Sequence, residues 1–144
     1  MRVPRRYLLV DDSPEDRLLA QEAFEHVCPT CTLTCVDSGR AALDLLQQRH
    51  FVPDVVLVDL NMPGMNGFQL LQAMKQDGRL ARIPVVMLTT SNAQQDVERA
   101  YSLHASSYLV KSVNFDAFVK QLEKVLQYWQ TSRTVRDVGS DGRS

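Results

Sequence analysis

The sequence predicts an α/β domain: a doubly wound sheet of five parallel strands with helices on both faces. Three observations carry this. Short apolar runs alternate along the chain with segments of helical period. Two of the runs, residues 55–58 and 85–88, are apolar at every position, the pattern of strands buried on both faces. Chemically capable side chains follow directly on the runs, where open α/β sheets place their ligands.

The elements follow in order. Tyr7-Leu8-Leu9-Val10 is the first strand and ends on two aspartates. Ser13 caps a helix, with Pro14 at its first position and Glu15 and Asp16 in a first turn that favours acids. Its apolar stripe is Leu19, Ala20, Ala23, Phe24 and Val27. A strand at 33–36 leads to a helix from Ser38 that buries Ala42, Leu45 and Leu46. After the third strand, 55–58, a helix following Gly67 carries Phe68, Leu71 and Met74 inward. After the fourth, 85–88, Ser91-Asn92-Ala93-Gln94 fits a capping box, and the helix it opens is expected to bury Val97, Ala100 and Tyr101. The fifth strand is 108–110. Asn114 caps the last helix, where Phe115, Phe118, Leu122, Val125, Leu126 and Trp129 define one buried face. Residues 1–130 are expected as one domain, and 131–144, with Val135 and Val138 as apolar residues, as a mobile tail.

Composition narrows the function. Apolar residues make up 44% of 144, enough for a core and too many for a disordered chain. A net charge of -1 supplies no basic field for nucleic acid. No window approaches the ~18 apolar residues of a membrane span, and the basic Arg2, Arg5 and Arg6 precede an apolar run too short for a secretory signal. A cytoplasmic protein without membrane or nucleic-acid partners is expected.

Cys28, Cys31 and Cys35 are an odd number and a poor disulfide framework. Cys28 and Cys31 have the spacing of zinc knuckles and redox motifs. Zinc needs four ligands, and His26 is the nearest histidine. A redox CxxC usually opens a helix, whereas this one follows one. Reduced thiols at a helix end and in a strand are expected.

The strand ends carry the chemistry. Asp11 and Asp12 follow the first strand, Asp59 the third, Thr89 and Thr90 the fourth, and Lys111 the fifth. Parallel strands bring all of them to one sheet edge. Two unit charges ~4 Å apart repel by about 4 kcal/mol at an effective dielectric of ~20, a large share of a domain's ~5–15 kcal/mol. A hard cation such as Mg²⁺ offsets that, taking oxygen ligands alongside a phosphate. An aspartate can accept a phosphoryl group as an acyl phosphate, with lysine and hydroxyl neutralising its oxygens. No Walker A loop is present, so the phosphoryl group comes from a partner or a small donor.

From Tyr7 to Trp129 these residues resemble the receiver domain of two-component response regulators. The resemblance implies a flavodoxin-like (βα)5 fold with strand order 2-1-3-4-5. It implies Asp59 as phosphoacceptor, Asp12 as direct Mg²⁺ ligand, Asp11 as its water-mediated partner, and the backbone carbonyl of Asn61 as completing the metal site. Thr89 would be the switch hydroxyl, Lys111 the phosphate-pairing lysine, and Tyr108 the switch aromatic, which in the family turns inward as the hydroxyl moves toward the phosphoryl group. Ser13-Pro14-Glu15-Asp16, Asp59-Leu60-Asn61-Met62-Pro63 and Leu88-Thr89-Thr90-Ser91 are similar to small stand-alone receivers. Many of those are encoded with phytochrome-type sensor histidine kinases, so a bacteriophytochrome is the implied partner. No output domain is expected after the last helix, so output is expected through a protein partner, through a phosphorelay, or by draining phosphate from the kinase. Tyr128 and Trp129 end that helix beside a face receivers use for pairing, which raises a homodimer; the alternative is that Trp129 serves the chain's own core.

Three positions depart from the family. Ser112 follows Lys111 where a cis-bonded proline is usual, so this bond is either trans with an altered loop or a costly cis bond. Thr90 is bulkier than the usual residue, and its bulk would narrow access to Asp59. His104 stands where glycine is common at a helix end, with some strain in a left-handed conformation. Two other functions compete. A phosphohydrolase of the haloacid dehalogenase type shares the residue types, but its nucleophile follows the first strand as DxD beneath a cap domain. A pseudo-receiver would never carry phosphate. Turnover of a phosphate ester separates the first, and labelling of Asp59 the second.

Overall fold

A computed structural model describes residues 3–131. Five strands, β1 (Arg6–Val10), β2 (Thr32–Val36), β3 (Val55–Val58), β4 (Val85–Thr89) and β5 (Ser107–Val110), alternate with five helices. These are α1 (Pro14–Val27), α2 (Gly39–Leu46), α3 (Gly67–Gln76), α4 (Gln94–Ser102) and α5 (Phe115–Thr131). The sheet is parallel throughout, in the order β2-β1-β3-β4-β5. This is the flavodoxin-like receiver fold, and each expected strand is present to within one residue at either end.

The central strands explain themselves. Every residue of β3 and β4 is buried, and successive side chains alternate between two cores. Val56, Val58, Val85 and Met87 face α2, α3 and α4. Val55, Leu57, Val86 and Leu88 face α1 and α5, with Phe24, Phe118, Leu122, Leu126 and Trp129. Trp129 is thus packed into the chain's own core, while Tyr128 is 60% exposed.

Caps set most helix starts. Ser13 Oγ accepts from Asp16 N–H, Ser38 Oγ from Ala41 N–H, and Asn114 Oδ1 from Ala117 N–H. Asn66 and Gln69 form a reciprocal capping box on α3. Gly67 is required beside it: a Cβ there would stand 2.7 Å from the Asp59 carbonyl oxygen and 2.9 Å from Leu60 Cα, so α3 can lie directly under the loop that follows β3.

Four expectations are corrected. The capping box at Ser91 does not form: α4 begins two residues further on, with Ala93 as an N-cap that makes no side-chain cap, while Ser91 Oγ donates to Asp96 Oδ2 at 2.6 Å and accepts Ala93 N–H at 3.4 Å. Tyr101 is 50% exposed rather than buried, since its hydroxyl accepts the N–H of Tyr108 on edge strand β5. Phe115, the first residue of α5, is exposed as well. Cys28 and Cys31 are not reduced thiols but a disulfide across the α1–β2 turn, with Cys35 free on β2. His26, the histidine nearest the cysteines, instead lies 2.9 Å from Glu123 of α5. Residue 131 belongs to α5, and the rest of the expected tail lies outside the described residues. Among the described residues no helix is long and apolar enough to cross a membrane.

Candidate functional site

The strand ladders carry the site residues to, or just past, the last strand positions. Asp11 N–H donates to Val36 O of β2 at 3.1 Å and Asp59 N–H to Val10 O of β1 at 2.8 Å, so the neighbouring strand ends hold the two aspartates side by side. Lys111 N–H donates to Thr89 O, which sets Lys111 beside the end of β4. Asp11, Asp12, Asp59, Thr89 and Lys111 therefore meet at one edge of the sheet, where the sequence places them.

Asp11, Asp12 and Asp59 each offer a carboxylate oxygen within 4.8 Å of the others. Asp11 and Asp59 are buried and Asp12 is exposed. Hard oxygen donors at this spacing suit a divalent cation. Asn61 lies two residues beyond Asp59, and its N–H donates to Asp59 Oδ1 at 3.4 Å.

The electrostatics show how costly the carboxylates are. Burial pushes the Asp59 carboxyl up to about 6; Lys111 opposes this, Asp11 adds to it, and bonds from Asn61 N–H and the Thr89 hydroxyl pull back. Burial also raises the Asp11 carboxyl, despite Lys111. Lys111 keeps its charge: burial works against it, yet bonds to Asp16 and Asp11 hold it up at about 12. Its Nζ lies 2.9 Å from Asp11 Oδ2, 2.7 Å from Asp16 Oδ2 and 3.7 Å from Asp59 Oδ2.

Asp16 is the residue sequence reasoning missed as a member of this site. It reads as a first-turn helix acid, and it is one, but its carboxylate is the nearest partner of Lys111. The available signal was its place in the first turn of a helix that begins at the site edge.

The loop after β5 accommodates Ser112. None of the described peptide bonds is cis, so Lys111–Ser112 is trans. Ser112 N–H donates to Gln121 Oε1 at 2.8 Å, a bond proline cannot make, and Gln121 Nε2 donates to Val110 O at 2.7 Å. Thr89 is fully buried and Thr90 exposed. Tyr108 is buried, and its hydroxyl donates to Ser91 O at 2.8 Å, tying β5 to the loop after β4. His104 adopts φ 67°, the left-handed conformation expected of it.

Known proteins agree with this architecture. The model of the response regulator receiver domain matches residues 7–123. The probable methanogenesis regulatory protein FilR2 of Methanothrix harundinacea is 38% identical over 126 residues, covering 85% of this chain and 81% of its own. The response regulator Rcp1 of Synechocystis is 36% identical over 137 residues, covering 92% of this chain and 93% of its own. Its Mn²⁺-bound structure superposes with a TM-score of 0.80, over 91% of this chain and 98% of that one. The phosphorylated cyanobacterial phytochrome response regulator RcpA superposes with a TM-score of 0.87 at 31% identity, over 92% of this chain and 99% of its own. With the family model spanning most of its length and the acidic edge in place, this chain belongs to the response regulator receiver domain family of two-component signalling.

Proposed function

We propose that Asp59 accepts a phosphoryl group from the phosphohistidine of a sensor histidine kinase. The observation that carries this reading is the meeting of Asp11, Asp12, Asp59, Thr89 and Lys111 at one sheet edge. An Asp59 carboxylate oxygen attacks phosphorus, the P–N bond to the donor imidazole breaks, and an acyl phosphate remains on Asp59. Lys111, 3.7 Å from Asp59 Oδ2, then shifts from Asp16 toward the new phosphoryl oxygens, and Thr89 donates its hydroxyl to one of them. Asp11, Asp12, Asp59 and the backbone carbonyl of Asn61 would hold a Mg²⁺, which would offset the negative charge gathered there. The Mn²⁺-bound form of Rcp1 supports a divalent ion in such a site.

Thr89 and Tyr108 form the switch. Thr89 buried at the end of β4, with Tyr108 buried and held by Ser91, is an arrangement in which phosphorylation biases the α4, β5 and α5 face. Tyr128 is the exposed member of its aromatic pair on that face and is available to a second copy of the chain. The protein works in the cytoplasm and acts only on its own phosphoryl group, not as an enzyme on a separate substrate. Its likeness to Rcp1 and to RcpA, a phytochrome response regulator, supports a bacteriophytochrome as the kinase.

Beryllofluoride, which mimics a phosphoryl group, tests the site. With Mg²⁺ at a hundredfold excess over Kd it is expected to add about 2.7 kcal/mol of stability, seen as a melting temperature raised by several degrees. Asp59→Asn removes the response. An unchanged melting temperature in the wild type counts against the phosphoacceptor reading and favours a pseudo-receiver.

A further inference from the structure

The phosphoacceptor site uses none of the three cysteines, yet the structure gives two of them a chemistry of their own. Cys28 caps the C-terminal end of α1, and Cys31 directly precedes β2. At ~1.5 Å per residue, α1 carries the pair about 20 Å from the end that holds Asp16. Cys28 N–H donates to Phe24 O at 2.8 Å and Cys31 N–H to Cys28 O at 3.0 Å. This backbone turn sets the two Cα atoms 5.4 Å apart. Hydrogen bonds of the main chain thus hold the two residues side by side.

A sequence separation of three makes the bond a poor structural staple, because the entropy removed from the unfolded chain grows with loop length. Cys28 is buried and Cys31 half-exposed, so an exchange partner reaches Cys31 first. The pair sits at the negative end of a helix, which disfavours a thiolate. Neither cysteine is therefore a ready attacking group, and Cys28 must take up a proton as it leaves.

Cys28 also reports outward. Its Sγ lies 3.6 Å from Gln130 Oε1 in the last turn of α5. A thiol can donate a hydrogen bond there, and a disulfide sulfur, having no proton, cannot. Gln130 Nε2 in turn donates to Pro4 O at 2.7 Å and to the Tyr7 hydroxyl at 2.8 Å. One side chain thus joins the cysteine pair, the start of β1 and the end of α5.

We propose that Cys28 and Cys31 are a reversible thiol–disulfide modification site whose redox state is relayed through Gln130 to the last turn of α5. The reductant is a dithiol protein. Its first thiolate attacks Cys31 Sγ, the Cys28–Cys31 bond breaks, and Cys28 leaves as a thiolate that takes a proton. The reductant's second thiolate then attacks the mixed disulfide and releases Cys31, which is protonated in turn. Two electrons pass to the pair, and the reductant ends as a disulfide.

The test equilibrates the full chain across a series of reduced and oxidised dithiothreitol mixtures, traps thiols with iodoacetamide and reads intact mass. Three alkylated cysteines are expected at the reducing end and one, Cys35, at the oxidising end, reversibly. Trp129 is the chain's single tryptophan and neighbours Gln130, so its emission should shift along the same titration curve. Gln130→Met should keep the thiol titration and lose the emission shift. Three alkylated cysteines across the whole series would overturn the site. A thiol titration without an emission change, or a full shift retained in Gln130→Met, would overturn the relay.

Discussion

Asp59→Asn is expected to stabilise the metal-free protein at pH 7 by up to about 3 kcal/mol relative to wild type. The carboxyl of Asp59 is raised to about 6 in the folded chain, chiefly by burial, against ~3.9 for an exposed aspartate. Between those values the folded state holds a proton that the unfolded state has released. Wild-type stability therefore falls as pH rises from about 4 to about 6, and the full penalty applies above that. Asparagine carries no charge to bury and escapes it. Urea unfolding in EDTA at several pH values checks this. The two proteins should converge near pH 4 and separate above it. Parallel pH profiles would mean that Asp59 bears no burial penalty.

Lys111→Met is expected to act in the opposite direction, with a loss of about 3–5 kcal/mol at pH 7, as for breaking one side of a buried ion pair. The lysine side chain is 6% exposed and that of Asp11 2%. Methionine fills similar space but leaves Asp11 and Asp59 facing each other without a cation. Sign and window follow from the titrations. Lys111 is held up at about 12, so its contribution is complete below ~10.4, the unfolded value, and is lost only as pH passes about 12. The deficit of the variant should shrink in acid, as Asp59 takes up a proton near 6. Denaturation midpoints that match wild type at pH 7 would show that the carboxylates do not depend on this lysine.

What could be read from the residues and what could not divides along physical lines. Residues 55–58 were legible because a strand covered on both faces needs no polar position. Asp11, Asp59, Thr89 and Lys111 are legible as a group because each ends or directly follows a strand, and parallel strands end at the same edge. The Asp16–Lys111 contact was not, because it joins residues 95 apart and a helix-end role already accounted for Asp16 locally. Tyr101 was misplaced for a related reason. Its spacing is that of a buried residue, but its hydroxyl accepts the amide of Tyr108 on the edge strand. Cys28 and Cys31 have a spacing compatible with either redox state, and the turn that closes them is a property of the folded backbone. Ser91 has a cap's chemistry, but the helix starts two residues later at the Ala93 N-cap, so its hydroxyl serves the loop and Asp96 instead.

Intact mass after incubation with acetyl phosphate tests the central claim most directly, comparing wild type in Mg²⁺, wild type in EDTA, and Asp59→Asn in Mg²⁺. One added phosphoryl group in the first sample and none in the other two is the predicted result. Equal uptake by Asp59→Asn would contradict it, as would a wild-type protein that neither gains mass nor responds to beryllofluoride.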